Sequence, residues 1–128
     1  MVRTVTHNIE VSVDVKYWHQ HSMPKENHYF FVYFISIENR SEYTVQLLRR
    51  HWHIFDSTGE HREVDGDGVV GENPVLEPGQ RFEYNSGCNL NSEMGYMRGH
   101  YTFEKILDGK EITVDIPQFD LIVPGKLN

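Results

Sequence analysis

The sequence predicts an all-β domain: a β-sandwich of two antiparallel sheets, with about eight strands and little or no helix. Three observations carry the prediction. From Ile9 onward, Ile9, Val11, Val13, Val15 and Tyr17 are apolar while Asn8, Glu10, Ser12, Asp14 and Lys16 between them are polar. A period of two marks a half-buried strand. Polar and glycine-bearing turn signals then recur at roughly 8–12-residue spacing, as short antiparallel strands require. Finally, Pro74, Pro78 and Gly79 fall where a helix would otherwise continue.

Each element can be argued in order. After the Ile9–Tyr17 strand, Tyr29 to Glu38 is aromatic and β-branched, and Glu38-Asn39-Arg40-Ser41 supplies a polar turn into Val45 to Phe55. Asp56-Ser57-Thr58-Gly59 is a hairpin turn leading to a short strand near Arg62 to Asp65. Pro78-Gly79 suit the two central positions of a type II turn, followed by a strand from Arg81 to Asn85. Tyr96 to Glu104 and Glu111 to Ile116 are joined around Asp108-Gly109. Pro117 then interrupts pairing, and Phe119 to Val123 forms a last edge strand. No internal repeat or linker divides residues 1–128, which read as one domain.

Composition narrows the function classes. A chain of 128 residues with 38% hydrophobic and 24% charged residues can bury about two-thirds of its unfolded surface and fold alone. Its formal charge of −7, with no basic cluster larger than Arg49-Arg50, repels a phosphate backbone, so nucleic acid is not expected as a partner. The longest apolar run, Tyr29 to Ile35, is far short of the ~20 residues of a membrane helix. One cysteine, Cys88, and no apolar leader core in the first ten residues point to a reducing, cytoplasmic location.

The stretch Gly66-Asp67-Gly68-Val69-Val70-Gly71 has the GxGxxG spacing of a dinucleotide fingerprint. That fingerprint needs a helix behind the glycines, and Pro74, Pro78 and Gly79 remove it. Asp65, Asp67 and Glu72 also surround the loop with negative charge. Three readings remain. The glycines can supply positive φ angles for a crossover loop between sheets. The amides of residues 66–71 can form an anion nest. The carboxylates can hold a cation, although an EF-hand is excluded because the closing bidentate glutamate is missing.

His51-Trp52-His53 places two imidazoles on one face of a strand with a core tryptophan between them, and His19-Gln20-His21 would do the same if extended. With no CxxC and no HExxH, a metal site at His51 and His53 would need further ligands from other strands. Cys88 and the serines show no nucleophile signature, and no cofactor is expected. In the aromatic strand, Tyr29, Phe31, Tyr33, Ile35 and Ile37 form one face while Phe30, Val32 and Phe34 form the other. A sandwich sheet needs only one apolar face. The second is covered within the chain or offers a partner or homodimer surface.

Taken together, Leu47 to Ile54, Glu63 to Gly71, Pro74, Leu76, Pro78-Gly79, Phe82, Tyr84, Ser86-Gly87, Met97, Gly99-His100-Tyr101 and Ile116 to Leu121 resemble the ApaG family over essentially the whole chain. The resemblance implies a fibronectin type III-like, immunoglobulin-like β-sandwich. It links bacterial members to cobalt resistance and magnesium efflux, and eukaryotic relatives to interaction roles, without established catalytic residues. A pyrophosphate-binding role proposed for the glycine loop would fall on Gly66, Gly68 and Gly71. The combined expectation is a non-enzymatic module acting through contacts with an unidentified protein partner, indirectly linked to divalent-cation homeostasis. The alternative is a small-ligand sensor that binds a phosphate-bearing metabolite or a metal-phosphate complex at the glycine loop.

Overall fold

The computed structural model describes residues 1–125. It contains β1 (Val2–Thr6), β2 (Ile9–Tyr17), β3 (Tyr29–Asn39), β4 (Val45–Asp56), β5 (His61–Asp67), β6 (Val75–Leu76), β7 (Arg81–Leu90), β8 (Met94–Lys105) and β9 (Glu111–Ile122). Two short 3-10 turns, His19–His21 and Pro24–Glu26, are the helical elements among the described residues. The first sheet has the order β1-β2-β3-β7, and the second β5-β4-β8-β9 with β6 added to β4. All pairs are antiparallel. The architecture is therefore the two-sheet sandwich that the periodicity predicts.

Alternation decides which side chains enter the core. Ile9, Val11 and Val13 of β2 and Phe31, Tyr33, Ile35 and Ile37 of β3 face Leu47, Trp52, Tyr101, Phe103, Val114 and Leu121 of the second sheet. Asn39 is fully buried at the corner after β3, where its Nδ2 donates to the carbonyls of Tyr43 and Leu76 and its Oδ1 accepts from Ser41. Every polar atom it carries inward is thus satisfied. Pro78-Gly79 makes the expected turn: the Gln80 amide donates to the Glu77 carbonyl and Gly79 has φ +88°.

Several boundaries differ from the sequence reading. Strand β1 was not anticipated; it joins β2 through His7 and Asn8, both at positive φ (51° and 61°), as a two-residue hairpin turn requires. Strand β7 continues beyond Asn85 because Ser86 and Gly87 pair with Tyr33 and Val32. Pro117 does not end a strand. Pairing of β9 with β8 slips between Met97 and Gly99, so Pro117 lies in the slipped step of an edge strand, where its missing N–H costs no ladder bond. The glycine stretch does not cross between sheets either. It connects β5 to β6, both in the second sheet, and the crossing falls to the Pro78-Gly79 turn.

The two sides of the sandwich are unequal. On one side β1 and β2 pack against β9, and Thr6 Oγ1 accepts from the Asp115 amide. On the other, the edge strands β5 and β7 are joined by the Arg62 side chain, which donates to the Asn89 carbonyl and the Cys88 sulfur.

Candidate functional site

The outer face of the second sheet gathers chemistry from three strands. Trp52 is in the core at 3% exposure, so strand alternation puts His51 and His53 outside on β4. The hairpin that follows is closed by the Gly59 amide on the Asp56 carbonyl and the Asp56 amide on the Glu60 carbonyl. It aligns His51 with Asp65, His53 with Glu63 and Phe55 with His61. Strand β8, on the other flank of β4, brings His100 opposite His51 and Arg98 opposite His53. The rings of His51 and His100 stack at 5.2 Å, and those of His53 and His61 at 5.4 Å.

The donor atoms are grouped closely enough that they could hold a metal ion. His51 Nε2 lies 3.1 Å from Glu63 Oε1, and His53 Nδ1 lies 3.5 Å from the same oxygen. One ligand atom from each of His51, His53 and Glu63 falls within 4.8 Å of the others. Ligands about 2.0–2.1 Å from a tetrahedral ion are roughly 3.3 Å apart, a spacing that the two histidine-to-Glu63 separations bracket. His51 Nδ1 is held by the Asp65 carboxylate. A carboxylate on the far nitrogen fixes the ring and its tautomer, as it commonly does for metal-bound histidine. His61 Nε2 is 3.1 Å from His53 Nδ1, next in the same row.

The two histidines have pKa values shifted in opposite directions. The hydrogen bond that His51 donates to the Asp65 carboxylate pushes His51 above the ordinary imidazole range; burial opposes this, while the charges of Asp65 and Glu63 add to it. Burial pulls His53 below that range; Glu63 opposes, while His51, Arg98 and His61 reinforce the pull.

The glycine loop is arranged differently. Gly68 and Gly71 do adopt positive φ, 61° and 78°, but Gly66 does not. Gly66 lies within β5 opposite Arg50, and a Cβ there would come within 2.6 Å of the Arg50 guanidinium. Its lack of a side chain makes room for that arginine, whose Nη1 donates to the carbonyls of Asp67 and Gly68 at 2.9 Å. At Gly68 a Cβ would come within 2.2 Å of the Glu72 carbonyl oxygen. Val69 and Glu72 exchange both backbone hydrogen bonds around Val70 and Gly71, a two-residue turn with φ positive at both central positions. The Gly68 amide donates to the Leu48 carbonyl. Two amides of the would-be nest, those of Gly68 and Val69, are thus engaged inside the chain.

The remaining sequence candidates also have definite places. His19-Gln20-His21 is not extended but forms a 3-10 turn, and with Trp18 it covers Phe30, with Trp18 and His21 ring centroids at 6.1 and 6.0 Å. Val32 is buried, whereas Phe34 is 42% exposed. Cys88 is buried, and burial pushes its thiol up, against the opposing charge of Arg62. A buried thiol of this kind is inert.

Sequence reasoning found His51 and His53 but missed Glu63, Asp65, His61 and His100. One signal was available for three of them. A hairpin centred near Thr58 sets residues equidistant from it opposite each other, which brings Glu63 to His53, Asp65 to His51 and His61 to Phe55. His100 has no such local signal, since its place depends on the long-range pairing of β8.

The molecule is therefore defined, first, as a two-sheet β-sandwich domain that presents a histidine–carboxylate face. Residues 19–105 match the family model described as the ApaG domain. The chain is 46% identical over 125 residues to Protein ApaG of Sinorhizobium fredii, covering 98% of this chain and 95% of the relative. It is 48% identical over 124 residues to Protein ApaG of Brucella anthropi, covering 97% and 95%. The crystal structure of an ApaA protein from Bordetella pertussis superposes with a TM-score of 0.89 at 38% identity, covering 94% of this chain and 98% of that one. The chain belongs to the ApaG family. Among the described residues, no helix is long and apolar enough to cross a membrane.

Proposed function

We propose that the chain is a non-enzymatic binding module whose working surface is the outer face of β5, β4 and β8, and that this surface holds a divalent transition-metal ion. The convergence of one donor atom each from His51, His53 and Glu63 within 4.8 Å carries this reading. Two imidazoles and one carboxylate suit Zn²⁺, Co²⁺ or Ni²⁺ and are poor for Mg²⁺, which prefers an all-oxygen octahedron. Three protein ligands leave a coordination position for water or for a side chain from a partner, so metal binding and protein contact would share one face. The connection to divalent-cation homeostasis implied by the family resemblance would then be direct, through a bound ion. Calorimetric titration with Co²⁺, Zn²⁺ and Mg²⁺ tests this. Saturable binding of Co²⁺ and Zn²⁺ with silence for Mg²⁺ is expected, and silence for all three would remove the reading.

A protein partner need not use that face alone. Phe34 is exposed at the edge of a 490 Å³ depression that it shares with Met1, Arg3, Arg81 and Glu83. Sedimentation of wild type and Phe34→Ser at tens of micromolar distinguishes a homodimer through this face from a monomer that reserves it for another protein. The alternative reading, a sensor for a phosphate-bearing metabolite at residues 66–71, draws its support from the glycine spacing and the family resemblance.

A further inference from the structure

The open side of the sandwich contains a second cleft, of about 260 Å³, between the inner face of β5 and the edge strand β7. Its charge balance is unlike the rest of the molecule. Arg50 and Arg62 both line it, and no aspartate or glutamate does, in a chain of net charge −7. Among the described residues Arg40, Arg49 and Arg81 pair with carboxylates, whereas neither cleft arginine does. Each is instead anchored through one terminal nitrogen to uncharged groups: Arg50 Nη1 to the Asp67 and Gly68 carbonyls, Arg62 Nη2 to the Asn89 carbonyl and Cys88 sulfur. A guanidinium has five N–H donors in a planar fork, so each anchored arginine keeps donors for a further acceptor.

Trp52, Ile54, Val64 and Met97 give the cleft apolar lining from the second sheet, and Tyr33, Ser86 and Asn89 give it polar lining from the first. Placing positive charge beside a hydrophobic wall selects an anion with a nonpolar body. A carboxylate matches the guanidinium fork in charge and shape, and the small volume limits the body to about the size of a single ring or branched chain.

We propose that this inter-sheet cleft binds a monocarboxylate with an apolar body, its carboxylate held by Arg62 at the Cys88–Asn89 end and its body packed on Trp52 and Val64. Free organic acids and the terminal carboxylate of a peptide ending in an apolar residue share this chemistry. The test is heteronuclear NMR of the full chain, titrated separately with phenylacetate, its neutral amide, inorganic phosphate and a tripeptide ending in phenylalanine. Phenylacetate should give saturable shifts at the Trp52 indole, Val64, Ser86 and Gly87, and the amide should bind at least about tenfold more weakly. Arg62→Gln, its fold verified by unchanged amide shifts in β8 and β9, should weaken phenylacetate by about tenfold or more, while Arg98→Gln on the opposite face should leave it unchanged. Tighter binding of the tripeptide than of phenylacetate would identify a chain terminus as the source, and the reverse a free acid. No saturable shift by about 10 mM, equal binding of acid and amide, or phosphate displacing phenylacetate with higher affinity would each overturn the proposal.

Discussion

Strand β5 carries two regions that share a partner strand and differ in what their polar groups do. Its central residues Glu63 and Asp65 point outward and meet His51 and His53 of β4, bringing carboxylate and imidazole atoms from two strands to within ligand distance of one another. Its last residues, Gly66 and Asp67, run into the glycine loop, where backbone donors are taken up by Leu48, Val69 and Glu72 and the Asp67 and Gly68 carbonyls by Arg50. The loop is a contiguous motif tied to itself and to β4 by these bonds. The histidine face is discontinuous in sequence and gathers side chains from three strands. Conspicuous spacing here meets backbone requirements, and the histidine–carboxylate cluster forms where several strands meet.

Substitutions in the two regions should separate stability from binding. The largest effect is expected for Gly68→Val, because φ is +61° and the new Cβ would sit 2.2 Å from the Glu72 carbonyl oxygen. A loss of about 3 kcal/mol or more in urea unfolding is expected, and a wild-type midpoint would break the contrast. Next is Asp56, whose carboxylate accepts from the Asn91 amide, the Ser92 hydroxyl and the Thr58 amide and so ties the β4–β5 turn to the β7–β8 turn. Burial alone would raise its pKa, but these hydrogen bonds outweigh it and hold the group below the usual carboxylate value. A depressed folded pKa contributes stability above the unfolded value near ~3.9, lost as pH falls through the folded one. Asp56→Asn should therefore cost about 1 kcal/mol at neutral pH, and the gap to wild type should close in acid. The smallest effect has the opposite sign. Val70 holds φ +48° at 64% exposure, a poor conformation for a β-branched residue, so Val70→Asn should stabilise by about 0.5–1 kcal/mol in the same assay.

The fold was largely legible because alternation is local. The faces of β2, β3 and β4 follow from residues two apart, and the Pro78-Gly79 turn follows from two side chains. What was missed depended on weaker or longer-range signals. Strand β1 is short and marked only by the His7-Asn8 turn, and β6 has two residues. Pro117 reads as a break until the bulge between Met97 and Gly99 is known. The site divides the same way. His51 and His53 could be placed on one face from sequence, and Phe30 could be seen to need a cover, but not that Trp18 and His21 supply it. Glu63 was within reach of register reasoning about the Thr58 turn, and His100 was not, because β8 lies some fifty residues downstream of β4.

The most direct test of the histidine face as the ligand-binding region is a Zn²⁺ titration followed by amide and imidazole NMR on the full chain. The expected result is saturable shifts centred on His51, His53, Glu63 and His61, abolished in the His51→Ala/His53→Ala double variant, with residues 66–71 little changed. Shifts centred on the glycine loop, or an unchanged response in the double variant, would contradict it.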